Sequence, residues 1–273
     1  MPAVDGKVAI VTGASSGIGA GIVKELVAAG MIVAGLARRV ERVQDLAKSL
    51  EGKKGKLHAV KCDVTSVDDV KKAFDWVEKN LGPPTAVVNN AGVAKHNLIS
   101  NGDLNDIKLT YDTNVLGLTA CSQVAIKSMY RNNTEGTIIN INSVAGHCHL
   151  PFPTIGSYTA SKQAVTAITD AMRNEVYLLG AKIRITSLSP GVVESEMSAG
   201  SKGDMGLSLE EDILPASDIA DCILFILRAP QRMSVSEMQV QYVNECTISY
   251  AQKAAATITE EFLKETKAAV KKQ

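Results

Sequence analysis

Short apolar runs separated by longer stretches of helical period organise most of this chain. Residues 8–11, 32–37, 57–60, 86–88, 137–141 and 183–188 are rich in Val, Ile and Ala. A strand with one solvated face alternates apolar with polar residues, whereas continuous apolarity fits strands covered on both faces, as in a parallel sheet. Helical patterns fill 19–29, 40–50, 67–80, 104–130 and 158–179. The alternation predicts βαβ units with right-handed crossovers, an α/β class and a doubly wound sheet. A helix at 216–227 and a strand at 238–242 would complete a parallel sheet of about seven strands. No linker or internal repeat interrupts the pattern, so residues 1–246 read as one domain. Residues 247–273 shift to Ala, Lys and Glu, with Ile248, Ala251, Ala255, Ile258, Phe262 and Ala269 at roughly helical spacing. They are expected to form a C-terminal helical tail.

Composition narrows the function classes. A chain of 273 residues, 45% hydrophobic and 21% charged, can bury one substantial core. The formal net charge is zero, which lacks the basic footprint of a nucleic-acid binder. No apolar run approaches the roughly 18 residues of a membrane span. The first strand begins close to Met1, leaving no room for a signal peptide. Five scattered cysteines, Cys62, Cys121, Cys148, Cys222 and Cys246, have no CxxC spacing and suit reduced thiols better than disulfides or a zinc site. A cytoplasmic protein without a metal is expected.

Candidate chemistry sits where the pattern changes. Thr12-Gly-Ala-Ser-Ser-Gly-Ile-Gly19 joins the first strand to the first helix. Its glycines permit a tight turn and let backbone N–H groups approach a pyrophosphate at a helix N-terminus; the other reading is an ordinary glycine-rich turn. The second strand ends in Ala37-Arg38-Arg39, where an NAD site would carry Asp or Glu. Guanidinium groups there favour a 2′-phosphate and therefore NADP(H), unless the arginines only begin a solvated helix. Asp63-Val64 and Asn89-Asn-Ala-Gly92 follow the third and fourth strands and would wall the same crevice. Tyr158 and Lys162 lie four residues apart, so phenol and ammonium share a helix face. The cation is expected to pull the phenol below its usual pKa of about 10, enabling proton transfer near neutrality.

Together these motifs resemble the short-chain dehydrogenase/reductases, from about residue 7 to 242. The resemblance rests on the glycine turn, Asn89-Asn-Ala-Gly92, Asn114, Ser143, Tyr158-x-x-x-Lys162 and Pro190-Gly191. It implies a Rossmann domain in which Tyr158 is the general acid/base and Ser143 stabilises the substrate oxygen. Lys162 would bind the nicotinamide ribose, and Asn114 would hold a water in a proton relay. It also implies NADP(H) contacts from Gly13, Ser15, Ser16, Gly17, Ile18, Gly19, Arg38, Arg39, Asp63, Val64, Asn90, Ala91 and Gly92. Further contacts are implied from Tyr158, Lys162, Pro190, Gly191, Val193 and Ser195, the last replacing a more usual Thr. Residues 137–162 are similar to the insect farnesol dehydrogenase-like group and to vertebrate cytosolic 17β-hydroxysteroid dehydrogenase-like relatives. That similarity implies terpenoid alcohols or ketosteroids as substrates. The family habitually pairs two helices, here near 115–130 and 159–179, so a homodimer or homotetramer is expected.

For substrate, Ser143, Tyr158, Ile155, Met197, His147 and His149 are the expected contacts, the two histidines being equally readable as a polar loop. The segment 194–214, with Gly200, Gly203, Gly206, Met197 and Met205, reads as a lid. Apolar surroundings favour a hydrophobic alcohol or ketone over a sugar. The expected activity is NADP(H)-dependent alcohol dehydrogenase or carbonyl reductase; a ketosteroid reductase and a non-catalytic NADP-binding scaffold are the alternatives.

Overall fold

The computed structural model describes residues 4–200 and 213–271. Its elements run β1 (Val8–Thr12), α1 (Gly17–Ala28), β2 (Ile32–Ala37), α2 (Val40–Ser49), β3 (Lys56–Lys61), α3 (Val67–Leu81), β4 (Ala86–Asn89), α4 (Leu104–Tyr111) and α5 (Leu118–Arg131). There follow β5 (Gly136–Ile141), α6 (Gly156–Leu178), β6 (Ile183–Pro190), α7 (Glu196–Gly200), α8 (Ala216–Arg228), β7 (Glu237–Val240), α9 (Thr247–Thr257) and α10 (Glu260–Lys271). The seven strands pair in the order β3-β2-β1-β4-β5-β6-β7, all parallel.

Successive strand residues point to opposite faces, so β1 feeds two layers. Ala9 and Val11 join a core with Ile22 and Leu26 of α1 and Ile219 and Ile223 of α8. Val8 and Ile10 join the other, with Phe74 of α3, Met129 of α5 and Val165 and Met172 of α6. Two asparagines buried between the layers form a ladder of side-chain bonds. Asn89 Nδ2 donates to Asn140 Oδ1 at 2.8 Å, and Asn140 Nδ2 donates to Thr169 Oγ1 at 2.9 Å. These bonds fasten α6 to the sheet just below the strand tips.

Two expectations change. The helical pattern over 104–130 is interrupted by a π-helical turn at Asp112–Gly117. The turn passes so close to Val64 that a side chain at Gly117 would press on it. Such turns widen a helix by one residue and often sit at functional positions; this one carries Asn114. The tail is two helices rather than one, broken at Ile258 with φ −87° and ψ 76°. Tyr250 and Ala254 of α9 are buried, whereas no residue of α10 is. Among the described residues, no helix is long and apolar enough to cross a membrane.

Candidate active site

The tips of β1 to β4 open on a cleft of about 600 Å³. Its floor is the turn from β1 to α1, where Gly13 and Gly17 have φ of +66° and +51°, a region side chains avoid. A side chain at Gly19 would collide with the Gly13 carbonyl. Ser16, extended at φ −165°, starts α1 without a side-chain cap, which leaves the helix's first N–H groups for an anion. Gly13, Ser15, Ser16, Gly17, Ile18 and Gly19 all face this cleft. Asn90 closes the turn from the side: its Nδ2 donates to the Thr12 carbonyl at 2.9 Å, while its own N–H donates to Thr12 Oγ1 at 3.0 Å. Ala91 and Gly92 continue the same wall. A cradle with no room for side chains beside uncapped N–H groups fits a pyrophosphate.

Arg38, Arg39, Asp63 and Val64 line the far end of the cleft. Asp63 Oδ1 is engaged locally, accepting from the Thr65 N–H at 3.0 Å. Arg39 reaches over the glycine turn, with Nη2 3.1 Å from Ser16 Oγ and 2.8 Å from Glu196 Oε2. Arg42, one turn further along α2, places Nη1 2.5 Å from Glu196 Oε1. Hydrogen bonds from Arg39 and Arg42 hold the Glu196 carboxyl down at about 2. Two guanidinium groups and one carboxylate thus meet at the rim of the cleft. Arg42 and Glu196 were not read from the sequence; the spacing of Arg42 from Arg39 was a usable signal, whereas Glu196 is 157 residues away.

At the opposite end, Ser143 follows β5 and caps the short 3-10 turn Val144–Gly146, its Oγ accepting from the Ala145 N–H at 3.1 Å. The Ser143 hydroxyl lies close enough to the Tyr158 phenol to act on its pKa. Tyr158 is the third residue of α6, and Lys162 lies one turn on, its Nζ 5.7 Å from the Tyr158 ring centre. Lys162 Nζ donates to the Ile141 carbonyl at 2.9 Å. Burial raises the Tyr158 phenol above its ordinary value, with the Ser143 hydroxyl pulling the other way. Burial also brings Lys162 down to about 8. The expectation of a phenol lowered by its lysine is therefore corrected: desolvation raises it, the opposing influence is Ser143, and the ammonium is directed at a backbone carbonyl.

Asn114 stands behind this pair. Its Oδ1 accepts from the Val93 N–H at 2.8 Å, and its Nδ2 donates to the Val93 carbonyl at 2.9 Å and to Ser161 Oγ at 3.0 Å. The side chain thus locks residues 91–94 of the cleft wall to α6.

A smaller cavity of about 130 Å³ meets the cleft at Ile18, Tyr158, Ser195 and Met197. Ser143, Ile155, Pro190, Gly191 and Val193 line it, together with Leu150, Phe152 and Tyr250. His147 and His149 do not. His147 Nε2 lies 2.8 Å from Ser189 Oγ and 3.2 Å from Glu237 Oε1, so the ring faces the β6–β7 edge. His149 is exposed. Both leave the set of substrate contacts expected from the sequence, because the chain has turned past the 3-10 turn before reaching them. Tyr250 was missed, since only folding brings α9 to this wall. The expected lid is anchored where it starts and ends, the Glu194 N–H donating to the Leu214 carbonyl at 2.9 Å. Its stretch 201–212, with Gly203, Met205 and Gly206, lies outside the described residues. Among the described residues, no group of three or more His, Cys, Asp or Glu is arranged to hold a metal ion.

Comparison with known proteins agrees with this geometry. Residues 7–205 match the family model described as short chain dehydrogenase. The chain is 47% identical over 242 residues to a farnesol dehydrogenase of Aedes aegypti, covering 88% of this chain and 97% of the relative. It is 33% identical over 249 residues to dehydrogenase/reductase SDR family member 11 of Homo sapiens, covering 88% and 96%. An alcohol dehydrogenase of the archaeon Thermococcus sibiricus, solved with 5-hydroxy-NADP, superposes with a TM-score of 0.77 at 26% identity, covering 88% of this chain and 98% of that one. A seven-stranded parallel sheet, a glycine turn opening a helix and a matching family model over most of its length place this chain in the short-chain dehydrogenase family of oxidoreductases.

Proposed function

We propose that the protein is an NADP(H)-dependent oxidoreductase interconverting a hydrophobic, terpenoid-like alcohol with its aldehyde or ketone. The observation that carries this reading is the position of the Ser143–Tyr158 pair. It sits where a phosphate-cradling cleft meets an apolar cavity, so one oxygen can meet both side chains while its carbon skeleton stays dry. Identity to a farnesol dehydrogenase supports the substrate class, and Arg39 and Arg42 support the 2′-phosphate. Gly13–Gly19 would hold the pyrophosphate of a nicotinamide dinucleotide, which would supply or accept the hydride. In reduction, Ser143 donates a hydrogen bond to the carbonyl oxygen and Tyr158 delivers the proton to that oxygen as charge develops. In oxidation Tyr158 takes the proton back. Lys162 would hold the ribose and keeps positive charge near the phenol, while Asn114 keeps both elements in register. Residues 1–246 carry these reacting groups on this reading, and the protein acts as a homo-oligomer.

The test is turnover of farnesol, geraniol and a panel of ketosteroids with NADP(H) and NAD(H). Tyr158→Phe should lower kcat by about 10² to 10⁴ while NADPH titration, followed by nucleotide fluorescence, remains within about twofold of wild type. Faster turnover of the steroids than of the terpenoids would move the substrate assignment. NADPH binding without turnover of anything would establish a scaffold.

A further inference from the structure

Glu245, in the turn between β7 and α9, is a buried carboxylate that the chemistry above does not use. Its oxygens gather donors from three separate parts of the chain. Oε1 accepts from the Val192 N–H at 2.8 Å and from the Tyr250 hydroxyl, and Oε2 accepts from the Tyr242 N–H at 3.1 Å. The carboxylate presses so closely on Gly191 that any side chain there would collide with it. Desolvating a carboxylate is costly, and several charge-assisted hydrogen bonds offset that cost. Here they fasten the tail to the segment leaving β6, which lines the cavity where the substrate would react.

The consequence falls on Tyr250. Its hydroxyl is consumed by Glu245, so the ring can face an apolar cavity without leaving a polar group unpaired. The ring is buried, packs edge-on against Phe152 at 6.2 Å between centres, and lines the same cavity as Ser143 and Tyr158. We propose that Tyr250 is a specificity-determining residue, contacting the apolar chain of the substrate through its ring, and that Glu245 is the positioning residue that aims it. The tail is then part of the substrate site. The proposal rests on the cavity being the place where the substrate's chain lies.

Two alcohols of different length probe this without relying on turnover. Titration calorimetry of the full chain with hexan-1-ol and decan-1-ol gives a ratio of affinities, and thermal unfolding is recorded for each variant. In Tyr250→Ala the preference for decanol over hexanol should fall about tenfold, the loss expected for one aliphatic contact face. Tyr250→Leu, which preserves more of the packing, should show the same direction if the alanine variant does not fold. Tyr250→Phe keeps the ring but loses the hydroxyl through which Glu245 aims it, so it should lower the ratio by less than Tyr250→Ala and in the same direction as Glu245→Gln. Glu245→Gln should lower the ratio with the NADPH dissociation constant unchanged. Equal losses for both alcohols, or an unchanged ratio in Tyr250→Ala or Tyr250→Leu, would overturn the proposal. Failure of the wild-type protein to oxidise any alcohol, with the length dependence intact, would instead overturn the proposed reaction and leave Tyr250 as a chain-contacting residue.

Discussion

Lys162 shows how one residue's surroundings set its behaviour. Its amine is brought down to about 8 by burial, whereas in an unfolded chain a lysine holds its proton to about 10.4. Between those values the unfolded state binds a proton that the folded state has lost, so this residue makes stability rise with pH. Replacing it with Met removes that contribution. The stability of Lys162→Met relative to wild type should therefore fall from pH 7.5 to pH 9.5, read by urea unfolding; a flat or rising difference would contradict the burial argument. At the other end of the cleft, the sequence draws attention to Arg38, but it is Arg39 that bridges Ser16 and Glu196. Arg39→Ala should weaken NADPH by about ten- to a hundredfold, the worth of a charge-assisted pair, with NADH little affected. A larger effect from Arg38→Ala would return the phosphate contact to that residue.

At the scale of elements, the site is made from strand ends and two departures from regular helix. The uncapped start of α1 and the π-helical turn before α5 both give up ordinary backbone pairing, one to present N–H groups and the other to set Asn114 against Val93. Gly19→Ala should disturb the first of these, because its methyl group would have to displace the Gly13 carbonyl. The expected result is loss of measurable dinucleotide binding by calorimetry, with the secondary-structure content by circular dichroism retained. Retention of wild-type affinity would show that the turn can relax. Asn114→Ala removes the bonds that tie half-buried Val93 to buried Ser161, each loss costing about 1–3 kcal/mol where a group is left unsatisfied. It should lower the melting temperature as well as activity, unlike Tyr158→Phe.

For the molecule as a whole, the two faces of α6 divide the labour. Val165, Thr169, Met172 and Val176 are buried in the core, whereas Ala160, Ala167 and Ala171 are exposed and would let a second helix approach closely. Light scattering at micromolar concentration should give a dimeric or tetrameric mass; a monomer would refute the oligomer. The tail also divides. Truncation after residue 246 removes Tyr250 from the cavity and should alter substrate preference and lower the melting temperature. Truncation after Ile258 removes only α10, none of whose residues is buried, and should leave both unchanged unless α10 docks on a second copy, in which case the measured mass falls.

Local signals determined much of this protein. The strands are legible because burial on both faces demands runs such as Ala-Ile-Val, and the cradle because only glycine satisfies its backbone angles and close approaches. The spacing of Tyr158 and Lys162 is a property of any helix. Their protonation behaviour is not, because it depends on how much water the surrounding elements exclude, and burial reversed the expected shift of Tyr158. His147 and His149 look like pocket residues in the sequence, yet the path of the chain after the 3-10 turn points one at Ser189 and leaves the other exposed. Glu196, Glu245 and Tyr250 carry no local signal at all. Arg39 lies 157 residues from Glu196, Val192 lies 53 from Glu245, and Phe152 lies about a hundred from Tyr250. Only tertiary packing, which sets distance independently of sequence separation, brings them to the site.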